Sequence, residues 1–101
     1  MEFDGFDWDE GNWPKCGKHG VSRAEIEAVF AAEPFVGPDQ TVSEEVRLNA
    51  IAAIGGRHVF VAFTIRQIGG ETRIRPISAR YMHDKEVRRY EQFRQGQTGE
   101  G

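Results

Sequence analysis

The sequence predicts an α+β fold, a small antiparallel sheet with two helices before it and one after it. Three observations predict this. From Val46 to Ser78 the runs "VRLNAIAAI", "HVFVAFTI" and "TRIRPIS" are β-rich and are separated by Gly55-Gly56 and Gly69-Gly70, the residues that tight antiparallel turns require. Upstream, "SRAEIEAVFAAEP" opens with Ser22 and Glu25, the pair of a capping box, and stops at Pro34. Downstream, Val87, Tyr90 and Phe93 recur at helical spacing.

Each element has its own local reason. In "FDGFDWD" apolar Phe3, Phe6 and Trp8 are interleaved with acidic residues, which suits a short extended segment with one buried face. In "EGNWPKCGKHG", Pro14 is tolerable in a first helical turn and Gly17 weakens an interior, so a short helix is expected from about Asn12 to Lys18, closed by Gly20 in a left-handed conformation. The second helix presents Ile26, Val29 and Phe30 as one apolar stripe. A loop follows over "GPDQTVSEE", and then the strands. "VFVAF" is apolar on both faces and belongs in the middle of the sheet. Arg73 and Arg75 alternate with Ile74, giving that strand an arginine-bearing face, and Pro76 favours an edge or an irregularity there.

The last helix is expected to start near His83 and fade by Gly96. His83 and Glu86 fall on its packing side with Val87, Tyr90 and Phe93, where a lone ionised group would be costly. Residues 1–95 then make a single domain, and 96–101 a disordered polar tail. The sheet is expected to be covered on one face by the helix from Ser22 and by the last helix. Phe30, Ile54, Val59, Val61, Phe63, Ile77 and Val87 are the expected core.

With 101 residues the chain suffices for one modest core. Its single cysteine, Cys16, cannot close an internal disulfide, and no apolar run suits a signal-peptide core or a membrane span, so a cytoplasmic setting without membrane contact is expected. The formal net charge of −3 argues against a general nucleic-acid binder. Its distribution argues differently: residues 1–45 hold three basic against eleven acidic side chains, while Arg66 to Arg94 holds eight basic against four acidic. Seven of those eight are arginines, whose planar fork suits phosphate or carboxylate. The molecule is therefore expected to be two-faced, although solubilising surface arginines are the commoner cause of such a distribution.

Taken in order, "FDWDEGN", "KHGVS", "AEIEAVF", "AIGG", "VFVAFTIR" and "RIRPISARYMHDKEVRRYE" resemble the BrnT family, the toxins of BrnT–BrnA toxin–antitoxin pairs in bacteria. The resemblance runs from about Phe6 to Tyr90. A Lys-His-Gly triplet alone is common; the ordered set is specific. The resemblance implies a fold like that of RelE-type ribonucleases and an endoribonuclease that inhibits translation by cutting RNA. It also implies neutralisation by a BrnA-like antitoxin with a ribbon-helix-helix part, contact with operator DNA only through that antitoxin, and allows a dimer within the complex. The chain departs from many relatives at Pro14 and Gly17, in the segment that carries Lys18 and His19.

Cleavage of RNA without a metal or other cofactor needs a base for the 2′-hydroxyl proton, cations for the phosphorane and an acid for the leaving 5′-oxygen. The family motifs offer Lys18 and His19 as a cation and a titrating group. Arg80, at a strand end, is the first choice for the phosphate, with Arg47 and Arg66 as further RNA contacts. Glu86 or His83 are candidates for base or acid, and Tyr90 for stacking on a base. Core packing explains Tyr90 equally well. Helix capping by His83, with Glu86 accepting from an arginine, is the structural alternative for that cluster. Two rival functions compete. Cys16, His19, His58 and His83 could supply zinc ligands, but without a paired motif. The other rival is a non-catalytic module that only binds its antitoxin and tunes operon repression.

Overall fold

The computed structural model describes residues 2–39 and 45–98. Residues 40–44 of the expected loop and 99–101 of the expected tail lie outside the described residues. The chain folds into a five-stranded sheet with one α-helix on each face. In chain order the elements are β1 (Gly5–Phe6), α1 (Arg23–Ala31), β2 (Phe35–Pro38), β3 (Leu48–Ile54), β4 (Arg57–Ile68), β5 (Glu71–Tyr81) and α2 (Asp84–Thr98). The strands lie in the order β1-β5-β4-β3-β2. All neighbours are antiparallel except β1, which runs parallel to β5 through Gly5 and Phe6. The sheet is thus mixed rather than purely antiparallel. None of the described helices is long and apolar enough to cross a membrane.

The glycine pairs form the expected turns. Gly55 and Gly56 have φ of 58° and 83°, and Gly69 and Gly70 have 57° and 82°, so both central residues of each two-residue hairpin are left-handed. That turn fixes register: Ile54 faces Arg57 in one hairpin and Ile68 faces Glu71 in the other. Pro76 sits at a bulge, since Phe63 pairs with Pro76 while Ala62 pairs with Ser78, leaving Ile77 without a partner. The ladder thereby tolerates a residue with no amide donor.

α1 forms as its sequence dictates. The Ser22 hydroxyl accepts from the Glu25 amide at 3.1 Å, and the Glu25 carboxylate accepts from the Ser22 amide at 2.9 Å. Ile26, Val29 and Phe30 are buried, with the Phe30 ring 4.9 Å from that of Phe63, itself fully buried. Of the expected core, Phe30, Val59, Val61 and Phe63 are buried, whereas Ile54, Ile77 and Val87 are half-buried. Cys16, Val21, Ile26, Val29, Ala50, Ile74 and Pro76 complete the interior.

Four expectations need correction. The segment Asn12–Lys18 is not a helix but a loop with one 3-10 turn at Lys15–Gly17. The Asn12 side chain is buried and bonded to the Asp7 and Pro76 carbonyls, both at 3.0 Å, which commits the segment to lie along the outer edge of β5. A Cβ at Gly17 would come within 2.8 Å of the Trp13 ring, so glycine is what lets that tryptophan pack. Second, Phe35–Pro38 is a strand; "FVGP" has too little alternation to reveal one, and its proline is acceptable because β2 is an edge. Third, α2 continues through Gly96 to Thr98, since one helical glycine costs only about 1 kcal/mol and does not end a helix by itself.

The fourth concerns the faces of the sheet. Successive strand residues point to opposite sides. At the end of β5, the Tyr81 hydroxyl meets Glu25 of α1, while the Arg80 guanidinium meets Glu86 of α2. The two helices therefore cover opposite faces, not one. Only the two residues Met82 and His83 connect β5 to α2, and on that face Tyr90 packs 6.0 Å from Phe35 and 5.6 Å from His58 between ring centres. Helical periodicity shows which side of a helix packs; it does not show which side of the sheet receives it.

Candidate functional site

The described ionic groups first sort by how their charges are spent. The expected two-faced distribution is blunted on the strands, where Asp7, Asp9 and Glu45 of the first half fold back onto Arg75 and Arg66. Arg75 is held by Asp7 at 3.2 Å and by Asp9 at 3.0 Å, Arg66 by Glu45 at 3.4 Å, and Arg73 by its neighbour Glu71. These contacts hold Asp9 below the usual carboxylate range, chiefly through the Arg75 hydrogen bond, and raise Arg75 correspondingly.

The end of β5 is built differently. Arg80 makes a two-pronged contact with Glu86, Nη1 to Oε1 at 2.7 Å and Nη2 to Oε2 at 2.9 Å, and its guanidinium lies over the Phe60 ring at 4.7 Å. Glu86 Oε1 also accepts from the His83 amide at 3.0 Å, so Glu86 caps α2 while it anchors the arginine. The Arg80 fork, followed by that amide, pushes the Glu86 carboxyl down to about 2. A group that weakly basic stays ionised throughout the neutral range and is poorly matched to proton transfer there. Both side chains remain about a third exposed, 39% for Arg80 and 34% for Glu86.

The sequence-derived candidates fall into three groups. Arg80, His83 and Glu86 come together in one hydrogen-bonded cluster. Lys18 and His19 are exposed on the turn after the 3-10 segment, and among the described residues neither side chain makes a hydrogen bond or ion pair. Gly20, with φ of 94°, closes that turn, and its carbonyl lies 3.5 Å from the Tyr81 hydroxyl. Lys18 and His19 thus stand beside the same end of β5, but on the α1 side of the sheet. The RNA-contact candidates are scattered. Arg66 is six residues along β4 from Phe60, the partner of Arg80, which is roughly 20 Å. Arg47 has a buried Nε with no hydrogen-bond partner. Tyr90 packs on Phe35 and His58, accepts from Arg94 at 2.9 Å, and lines a cleft of about 470 Å³ between α2 and the sheet. Cys16, His19, His58 and His83 do not gather, and no group of three or more metal-ligating side chains occurs among the described residues.

Two residues, Tyr81 and Arg57, escape the sequence reading. The Tyr81 hydroxyl donates to Glu25, 2.8 and 2.9 Å from its two carboxylate oxygens, and the Arg57 guanidinium carbon lies 3.4 Å from the centre of the Tyr81 ring. The ladder continues past the strand, with the Met82 amide donating to the His58 carbonyl at 2.9 Å, so Arg57 stands at the level of His83. Tyr81 was reachable in principle: it follows Arg80 in a strand, and alternation alone puts it on the opposite face. Arg57 carried no such signal, because it meets Tyr81 only at the far end of the β4–β5 ladder, whose register the bulge at Pro76 shifts.

None of the curated proteins compared with the chain matches it. The family model described as the ribonuclease toxin, BrnT, of the type II toxin–antitoxin system matches residues 8–86, a span that runs from Trp8 through α1 and strands β2 to β5 and ends at Glu86 in the first turn of α2. That span covers most of the chain and every element that builds the end of β5, and the chain belongs to the BrnT ribonuclease toxin family.

Proposed function

We propose that this chain is a metal-independent endoribonuclease of RelE-like design that inhibits translation, and that a BrnA-like ribbon-helix-helix antitoxin holds it inactive and carries the complex to operator DNA. The observation that supports this reading most is the Arg80–Glu86 fork at the end of β5 beside the first turn of α2. Membership of a ribonuclease toxin family supplies the reaction class; the fork supplies a place for the phosphate.

In this reaction the ribose 2′-oxygen attacks phosphorus while its proton passes to a base. The bond to the 5′-oxygen breaks as an acid protonates it, leaving a 2′,3′-cyclic phosphate and a 5′-hydroxyl. Arg80 keeps donors on the edges that Glu86 does not use, and with these it binds the phosphate as charge develops. The α2 N-terminus adds a modest preference for an anion. Glu86 orients Arg80 and, being fully ionised, does not shuttle the proton. His19 and His83 carry imidazoles, the side chain best suited to proton transfer near neutral pH, and Lys18 contributes a second cation. Tyr90, Arg47 and Arg66 hold RNA farther along the chain, since Arg66 is too distant to touch the phosphate that Arg80 binds.

The test is cleavage of single-stranded RNA by wild type and by Lys18→Ala, His19→Ala, Arg80→Ala and Glu86→Ala, with and without chelator. The reading expects wild-type activity that survives chelation and a loss in at least Arg80→Ala. Wild-type cleavage in all four variants would overturn the assignment. A second reading, the non-catalytic antitoxin-binding module, draws support from the neutralised arginines at Arg66, Arg73 and Arg75. It expects no cleavage by the wild-type chain but a stable complex with the antitoxin.

A further inference from the structure

We infer that Arg57, laid flat on Tyr81, is a stacking platform for an unpaired nucleobase next to the phosphate handled by Arg80. This rests on the proposed reading that the end of β5 handles RNA, and it specifies how the strand is gripped there. Of the arginines in β4 and β5, four are paired with carboxylates: Arg66, Arg73, Arg75 and Arg80. Arg57 is the exception, for among the described residues it makes no ion pair and no hydrogen bond, and it is exposed. Its charge acts on Glu25 and Tyr81 without an ion-pair contact, and its five N–H donors make no hydrogen bond among the described residues.

Its plane, by contrast, is fixed. At 3.4 Å from the ring centre the guanidinium is in stacking contact with Tyr81. Tyr81 is itself fixed by the hydroxyl bond to Glu25, and Glu25 by the amide of Ser22. The left-handed glycine pair of the β3–β4 turn sets the position of Arg57 from the other side. One face of the guanidinium is thus set against an aromatic ring while the residue as a whole stays exposed, an arrangement in which a base would complete a sandwich. The location suits a nucleotide flanking the cut. Tyr81 is the residue after Arg80, Arg57 stands at the level of His83, and the turn carrying Lys18 and His19 meets Tyr81 at Gly20. A base is gripped on the α1 side of the sheet while its phosphate reaches the α2 side around the end of β5. Stacking is tolerant of base identity, so the platform supplies affinity for single strands rather than sequence choice.

The test uses a short single-stranded RNA with 2′-O-methyl riboses, which cannot be cut, and measures binding by fluorescence anisotropy to the full chain, with cleavage of ordinary RNA measured in parallel. Arg57→Ala and Arg57→Lys should each weaken binding about tenfold, because lysine keeps the charge but not the plane. Removing one base of the oligonucleotide should weaken wild-type binding by a similar factor at one position, and Arg57→Ala should add nothing further to that loss. If Arg57→Lys binds like wild type, the effect is charge alone and the platform is overturned. If wild type cleaves RNA yet both variants bind and cleave unchanged, the platform fails while the proposed function stands. If wild type neither binds nor cleaves RNA, both fail. Arg57 is exposed, so thermal melting of both variants should match wild type within a few degrees.

Discussion

Arg75 and Arg80 lie five residues apart on β5, and the fold treats them in opposite ways. Arg75 is 16% exposed and is clamped by two aspartates from the loop after β1, which runs along the outer edge of the strand. Arg80 is 39% exposed, has a single carboxylate partner, and that partner belongs to the first turn of α2. The first arrangement sews the N-terminal segment to the sheet. The second presents a cation, already oriented, at an open end where His83, Tyr81 and Arg57 also arrive. Two arginines that look alike in "RIRPISAR" thus differ in what surrounds them. An arginine neutralised inside the fold holds structure, and one held open at a strand end can hold a phosphate.

The largest expected effect comes from breaking the open end. On the proposed function, Arg80→Ala removes the donors that would meet the phosphate, and the loss expected is about 100-fold to 1000-fold in cleavage, the scale of one transition-state charge donor. Its stability cost is small, about 1 kcal/mol, because the pair is a third exposed and screened by solvent. Steady-state RNA cleavage and thermal melting read the two effects separately.

Breaking the closed position should give the reverse pattern. Arg75→Ala strands the Asp7 carboxylate, which is only 19% exposed, and should cost about 2–3 kcal/mol, short of the fully buried figure because Asp9 stays in solvent. For a domain of this size that lowers the melting temperature by roughly 10–20 °C. Cleavage per folded molecule should be unchanged at a temperature where the variant is folded. A large loss of activity without loss of stability would erase the distinction between the two arginines.

Much of this was legible in the residues, and the limits have physical causes. The hairpins were readable because left-handed φ at paired glycines is a local demand, and α1 because its capping box is local. The cluster of Arg80, His83 and Glu86 was readable for the same reason, since Glu86 is only six positions after Arg80. The pairing of Asp7 and Asp9 with Arg75 spans more than sixty residues and left no trace in the charge distribution except a misleading one. The face on which α2 lies depends on Phe35 and His58 receiving Tyr90, a tertiary fact. Gly17 looked like a helix breaker and proves to be the space into which Trp13 packs.

Glu86→Gln sharpens the comparison at intermediate size. Glutamine can still accept from the His83 amide but no longer offers a charged fork to Arg80, so cleavage should fall about tenfold through loss of orientation, with a stability cost of about 1 kcal/mol or less. The signature of a positioning role is that the pH–rate profile keeps its shape, because the proton is carried elsewhere. A profile that lost one limb in Glu86→Gln would make Glu86 the acid or base.

The smallest expected effect is in acid stability. The folded-state pKa of Glu86 is depressed, from 4.5 to about 2, so its contribution is fully present above about pH 4.5 and is lost as the pH falls from there toward 2. Glu25 and Asp9, also lowered, act with the same sign. Denaturant melts at pH 6 and pH 3 should therefore differ less for Glu86→Gln than for wild type, by no more than about 1 kcal/mol given the exposure of the pair.

The most direct test of the central claim is RNA cleavage by Arg80→Ala and Arg75→Ala, assayed side by side at a temperature at which melting curves show both folded. The open-end account predicts a melting temperature near wild type and cleavage lost in Arg80→Ala, with a lowered melting temperature and cleavage retained in Arg75→Ala. Wild-type cleavage by folded Arg80→Ala would contradict it.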